Sequence, residues 1–578
     1  MGGLMRPLTF GDRQTPTSQR SLRMPKGEPT QDRWIVGAFG DTEFSLTCQE
    51  WVNGKLIPLG ASWESAPYSQ FWDALSTLDC GPVKFWLIGW RVRYALERAN
   101  FSRALSEGAI SLPTIRAGKN RGKAGGRLSY SGRILEVDLV AGKNAIKVLD
   151  WSNFGVAPDG YPQTDGATTI ETACGVLQDY LSATAAAGVR VSRSTAAQVG
   201  WSHARQSGLG ADLACNLDGE ARELERRACH GGRCEAFRLG EIPGTTYSLD
   251  VRSCYATICR DESLPCRLVE EYRHGLPVEA IDVAGDDHWI ADVVISTDEP
   301  DYPLSWDGTP IYPIGQFRTA LPWPELRHAL MRGRVQRVLR AARYAAGPVL
   351  RPYAEWYLHA RRAEKSLSVG GSTSWLKAMF NASLGYTARQ KWQWIPWDAP
   401  VEQDWWFGAS QSPVDSQTRV SAQVIDGEAR WLSVAGEPRE SMPFLHATIC
   451  SYARVKLLEI FKLAGMENIL YCDTDGILVT MRGAMRLIFE DEDRTKYLRG
   501  LVERFPCGSA RIQGQKVYSV GDNVIAAGTV KTKRSALERR NVLTVATGRA
   551  DSEGRVHPFV MTCEDNGGVG ERWTNEMA

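Results

Sequence analysis

The chain has 578 residues, 43% of them hydrophobic, enough for more than one core, which excludes a disordered or fibrous protein. Its 68 Lys and Arg balance 67 Asp and Glu, so net charge alone points to no class of partner, and clustering has to decide. No apolar run reaches membrane-spanning length and the N-terminus has no signal-peptide apolar region, so no membrane role and a soluble, cytoplasmic protein are expected.

Residues 1–30 are rich in Arg, Pro, Ser, Thr and Gly and read as a flexible basic tail. From Arg33 short strands alternate with helical runs to about Tyr180, the mark of an α/β domain. Trp51 to Leu59 reads as strand-turn-strand around Asn53-Gly54. The run from Arg116 to Arg127 is basic and glycine-rich, either a plain hairpin or a contact to a phosphate backbone. Cys215, Cys229, His230 and Cys234 form a loose cluster whose spacing matches no common zinc-ligand pattern. The 13 cysteines, without regular pairing, read as thiols of a reducing compartment.

Tyr247 to Ile258 reads as a strand that delivers Asp250 at its end and turns into a helix carrying Tyr255. A helix around Tyr353 to Leu367 carries Arg361 and Arg362. In the helix that follows, Lys377, Asn381 and Gly385 recur every four residues and share one face. Residues 392–440 are rich in Trp, Gln and Ser and read as an insertion with strand and turn character. From His446 a helix places Cys450, Ala453, Leu457, Ile460, Phe461 and Ala464 on one apolar face. Then comes Tyr471-Cys472-Asp473-Thr474-Asp475-Gly476, flanked by apolar residues, which reads as a β-hairpin with two carboxylates at its tip. Two acids so close repel unless a cation lies between them, and Mg²⁺ is the natural partner of such hard oxygen donors; an Asx-type turn is the bland reading. Lys516-Val517-Tyr518 and a Lys531, Lys533, Arg534 cluster complete the series.

Four of these segments, in this order, resemble the polymerase motifs of family B DNA polymerases: D-x-x-S-L-Y-P at Asp250, K-x-x-x-N-S-x-Y-G at Lys377, Y-x-D-T-D-S at Tyr471, and K-x-Y at Lys516. The stretch Cys229 to Gly232 resembles the family's glycine linker, and Tyr312 to Phe317 with Glu325-Leu326 resembles a palm segment. The compact length resembles the protein-primed branch of phages and linear plasmids. That resemblance implies an RNase H-like exonuclease-type domain over 31–200, a linker over 201–240, and a right-hand polymerase beyond it. Palm and fingers would span 241–500, with insertions at about 299–345 and 392–440, and a thumb with the tail 501–578.

The resemblance also implies site roles. Asp250, Asp473 and Asp475 would be catalytic, with Asp250, Asp475 and the Val251 carbonyl holding Mg²⁺, or Mn²⁺ in its place. Tyr255, Arg361, Arg362, Lys377 and Asn381 would hold the incoming dNTP. Gly231, Gly232, Lys516, Tyr518, Lys531, Lys533 and Arg534 would contact DNA. The implied partners are a primer–template, dNTPs and a terminal protein, and the implied state is a monomer. This sequence departs from the family at Cys254 and Ala256, at Ala382 and Leu384, and at Gly476, where a hydroxyl beside the metal site is lost. Leu384 replaces an aromatic that in the family lies near the nascent base pair.

The editing motifs are degenerate. Asp41-Thr42-Glu43 has the letters of the first, but the segment from Arg33 to Asp41 reads as the second strand of that fold, which puts the first motif at Phe10-Gly11-Asp12-Arg13. The segment Phe85 to Leu96 contains no acid, and Thr169 stands where the third motif needs Asp. An exonuclease fold without 3′–5′ activity is expected. The leading reading is a protein-primed, DNA-directed DNA polymerase. A primer- or template-independent nucleotidyltransferase on the same palm is the second, and a non-catalytic nucleic-acid binding protein the third.

Overall fold

A strand apolar at every position but its first must be covered on both faces, and Arg33–Phe39 is buried almost throughout. In the computed structural model it lies inside a nine-stranded sheet, antiparallel to Glu43–Val52 on one side and parallel to Phe85–Gly89 on the other. Phe85–Gly89 in turn runs parallel to Asn144–Asp150. The structure describes residues 13–14, 19–21, 32–60, 62–78, 85–89, 92–111, 128–131, 134–154, 169–191, 193–209, 213–217, 219–306, 309–366, 375–398, 405–414, 419–425, 428–438, 440–489, 501–526, 548–564 and 572–576.

The chain divides into two compact units. One comprises residues 24–207 and 359–438, the other residues 1–23, 208–358 and 439–578. In the first unit the nine-stranded sheet is packed by Phe39, Phe44, Phe71, Leu87, Val137 and Ile146 among others. Asn53 and Gly54 both have positive φ (50° and 83°), as the two-residue turn at that place requires. The 391–436 stretch folds as its own antiparallel sheet in the order 391–396, 428–436, 419–425, 405–411, with the strand character read from its composition.

The second unit holds two seven-stranded sheets. The larger core cluster lies on the sheet built around His288–Thr297, which pairs with Ile314–Pro322 and Val335–Gly347. The other sheet carries Gly240–Val251, the hairpin Ile469–Asp473 and Gly476–Thr480, and the strands Leu501–Gly514, Val517–Val520 and Asn523–Ala526. Among the described residues no helix is long and apolar enough to cross a membrane.

The sheets redraw several sequence expectations. Arg13–Gln14 and Gln19–Ser21, expected in a flexible tail, are strands that pair with Tyr272–Glu271 and with Ala214–Asn216. Arg33–Phe39 is the central strand that meets the parallel pair, not a second strand outside it; Arg13, assigned to the first editing motif, belongs to the other unit. The boundary at 299 cuts through the sheet that joins 288–297 to 314–322, because an apolar strand such as His288–Thr297 needs a neighbour on each edge. The boundary at 501 falls at the start of a strand that pairs along Gly240–Val251, so residues 501–526 extend the Asp250 sheet.

Candidate active site

The two-residue connection between Ile469–Asp473 and Gly476–Thr480 is the tip of the acidic hairpin. The Asp475 N–H donates to the Asp473 carbonyl (2.7 Å) across Thr474, whose φ is +67°. That is a γ-turn, a strained form that persists only where its surroundings hold it. They do: the Thr474 N–H donates to the Arg233 carbonyl (2.6 Å), and the Val251 N–H donates to the Asp475 carbonyl (2.8 Å). Gly476 is paired with Asp250 on one side and with Asp473 on the other, so one glycine separates the two carboxylate-bearing strands. A Cβ at 476 would stand 3.0 Å from the Asp250 Oδ1 and 3.4 Å from the Leu249 carbonyl. Glycine at 476 therefore leaves open the space beside Asp250.

Asp473 is committed elsewhere. Its carboxylate takes an ion pair from the Lys516 ammonium and a hydrogen bond from the Thr474 hydroxyl (3.2 Å). Lys516 has a φ of +58° in the turn after Leu501–Gly514, and its backbone N–H donates to the Tyr471 hydroxyl (2.8 Å). Tyr518, expected to grip a primer strand, is 3% exposed; its ring packs 4.5 Å from that of Tyr471. It supports the hairpin and presents no free face. Burial pushes its hydroxyl up to about 12, with Arg504 opposing.

The glycine segment is a strap on the hairpin. Gly231 needs its φ of +75°, and its carbonyl accepts from the Arg454 guanidinium. A Cβ on Gly232 would lie 2.8 Å from the Thr474 Cγ2. Changing Gly232 to Ala is therefore expected to displace the γ-turn. The checks are a loss of about 1–3 kcal/mol in urea unfolding and a larger proportional loss of site function than of stability. His230, next to it, is buried, with its Nε2 2.8 Å from the Ala320 carbonyl. Burial lowers its pKa to about 4, and Arg454 adds to this. The folded state then stays neutral while the unfolded state takes up a proton below about 6.5. Stability should fall as pH drops from about 6.5 to about 4 and lose no more from this group below that. Parallel melts of wild type and His230→Gln should show a shallower fall in the variant.

Tyr255 lies on the helix Cys254–Asp261 that follows Asp250, and its hydroxyl hydrogen bonds to Cys450. Cys450 in turn lies 3.6 Å from the His446 Nε2. Burial, with the Asp475 and Asp250 charges adding to it, pushes the Cys254 thiol up to about 12.

Four residues of the site had no role assigned from the sequence. Arg504, on the strand beside Gly240–Val251, would have its Nη1 3.6 Å from a Cβ at 476, so it brings a cation to the glycine gap. Arg454 and Glu325, 0% exposed, form a two-point ion pair (Nε to Oε1 2.7 Å). A lone arginine in the apolar helix Pro443–Ala464 was the signal for it. Arg233 is buried with its guanidinium 3.9 Å over the Tyr312 ring and its Nε 2.6 Å from Glu235.

Apart from Tyr255, the residues expected to hold a nucleotide lie in the other unit. On the helix Trp375–Thr387, Lys377, Asn381 and Gly385 are all exposed, as one shared face requires. The opposite face, with Leu376, Met379, Phe380 and Ser383, packs on the helix Ala196–Gln206. Gly200 allows the approach, since a Cβ there would be 2.6 Å from the Met379 carbonyl. Leu384 is 3% exposed and belongs to this packed face, not to the face of Lys377. Arg361 is half-buried and Arg362 exposed on Arg351–Ser366. Lys531, Lys533, Arg534, Phe10 to Asp12 and the 116–127 loop lie outside the described residues.

On the three parallel strands of the first unit, Asp150 is the one acid among the described residues. Phe39 lies across Gly37 and Gly89: a Cβ at either would be 2.3 or 2.5 Å from its ring. Asp41 is in the turn after the central strand and Glu43 begins the next one. Thr169 caps the helix Ile170–Ala186, its Oγ1 accepting from the Thr172 N–H (3.3 Å).

A multidomain α/β fold with this acidic hairpin is similar to that of a DNA polymerase. Solved structures that it matches include those of Phi29 DNA polymerase. The complex with primer-template DNA aligns with a TM-score of 0.57 at 13% identity, covering 90% of this chain and 96% of that one. The complex with primer-template DNA and incoming nucleotides gives 0.56 at 14%, covering 95% and 99%. The complex with single-stranded DNA gives 0.55 at 14%, covering 86% and 93%. No protein-family model matches the chain, and no curated protein does.

Proposed function

We propose that this chain is a DNA-directed DNA polymerase that adds dNMPs to a 3′ hydroxyl, primed by a protein and without 3′–5′ editing. The observation that carries the reading is the convergence of Asp250 and the Asp473–Asp475 tip on one glycine gap, in a fold similar to that of a DNA polymerase. The donor chemistry fits Mg²⁺ or Mn²⁺: hard carboxylate oxygens, with space that a single Cβ would fill. Among the described residues no three His, Cys, Asp or Glu side chains cluster closely enough to hold a metal by themselves. Asp250 and Asp475 would hold it together with backbone or substrate oxygens, the Val251 carbonyl being the candidate. When bound, the metal pair lowers the pKa of the attacking hydroxyl and neutralises charge on the leaving pyrophosphate.

The chain's own groups do the rest. Asp473 fixes the Lys516 ammonium at the edge of the site, where it can meet a primer phosphate. Tyr255, held by Cys450, gives the sugar of the incoming nucleotide a fixed wall. Lys377, with Arg361 or Arg362, would neutralise the triphosphate. DNA, dNTPs and a terminal protein are the partners of this reading, with the protein a monomer.

The test is incorporation of labelled dNTPs with Mg²⁺ on a primed template, an unprimed template and no template. Template-copied extension supports the reading. Equal product without template would assign a template-independent transferase, and no incorporation with DNA binding intact would assign a binding protein. The single acid on the parallel strands, with Phe39 across them, supports the absence of editing. A mismatched primer end should therefore survive incubation with Mg²⁺ and no dNTPs. Digestion that persists in Asp250→Ala and is lost in Asp41→Ala would overturn that part.

A further inference from the structure

The second unit contains a cavity of about 660 Å³ on the sheet around His288–Thr297, in the size range of small-ligand sites. Four arginines line it (Arg227, Arg273, Arg318 and Arg340), and among the described residues no carboxylate does. Asp292, fully buried, explains how two of them are held. Its Oδ2 takes the Arg227 Nη1 at 2.7 Å and the Arg318 Nη2 at 2.6 Å. One buried carboxylate balances one guanidinium, so this trio carries a surplus positive charge, and both arginines keep more than a third of their side chains exposed (36% and 38%). Across the rim, Arg340 donates to the Glu220 carbonyl (2.9 Å) and is only loosely paired with Glu223 (3.9 Å). Glu220 and Glu223 are more than half exposed, so water screens them. Glu271, buried, is engaged by Arg273.

The wall is not purely ionic. Trp306 is 45% exposed, unusual for so large an apolar side chain, and it lines the cavity with Phe317 and Met561. Fixed guanidiniums suit a phosphate, and an exposed indole suits the flat face of a base. A bare anion would leave the indole in water, and an acidic peptide has no group that calls for it.

We propose that this cavity is a nucleotide site separate from the Asp250–Asp475 site, taking a nucleoside 5′-phosphate with its phosphate on Arg227, Arg318 and Arg340 and its base on Trp306. The proposal rests on this cavity alone and stands whether or not the chain polymerises DNA.

The test is calorimetric titration of the full chain, without divalent metal, using four probes: dAMP, deoxyadenosine, inorganic phosphate and a polyglutamate peptide. Binding of dAMP is expected, with each of the other three at least about tenfold weaker. Trp306→Ala and Arg340→Gln, both at the rim, should each weaken dAMP about tenfold while melting and primer extension stay unchanged. Lys377→Ala should leave dAMP binding as it is. No dAMP binding, dAMP binding unchanged in both rim variants, or phosphate or peptide bound as tightly as dAMP would overturn the proposal. Arg318→Gln is the less useful variant, because it strips a partner from buried Asp292.

Discussion

Replacing Asp475 with alanine is expected to reduce nucleotide incorporation by on the order of a thousandfold or more while the protein melts at the same temperature or slightly higher. The two halves of that result have one cause. Asp475 sits at the tip of a strained turn beside Asp473 and across the glycine gap from Asp250. Like charges this close destabilise the fold, so removing one relieves the hairpin. The same charge is what would hold a cation against the reacting phosphate in the proposed reaction. Asp473→Asn should behave differently. Its carboxylate already holds Lys516, so the loss should be smaller in kcat and accompanied by weaker primer binding. Primer extension, with KM for primer resolved from kcat, and thermal melting of the same preparations check both. An Asp475→Ala protein with full incorporation would remove the site from the reaction.

The largest effect on stability is expected at Arg454. Changing it to Met should cost about 3–5 kcal/mol in denaturant unfolding, because Glu325, fully buried, is left without its cation. The double change Arg454→Met with Glu325→Leu should recover most of that loss, since two apolar side chains replace two buried charges. It should not recover function. The Arg454 guanidinium also donates to the Gly231 carbonyl, and the 231–233 strap continues into the contacts that hold Thr474. A double variant as stable as wild type but poor in incorporation would separate the two roles, and one as active as wild type would show that the strap holds the turn unaided.

The sequence by itself determined the local features. The hairpin with Asp473 and Asp475, the strand that ends in Asp250, the exposed face of Lys377 and Asn381, and the turn at Asn53-Gly54 are all periodicity, turn chemistry or charge spacing, which act over a few residues. The strand character of residues 392–440 was equally legible in their composition. What only the tertiary structure decided is which of these meet. Strand pairing joins residues hundreds apart, and nothing local specifies it. So the place of Arg33–Phe39 at the sheet's centre, the pairing of Leu501–Gly514 along the Asp250 strand, and the burial of Tyr518 and Leu384 were misread or unseen. Arg454 and Glu325 are the same case in charge: an arginine in an apolar helix marks one partner, but nothing local names the other, and only each one's presence in the core makes the other's burial tolerable. Gly476 shows both. Its place beside the acids is sequence; that it is the gap between two carboxylate strands is a fact of the sheet.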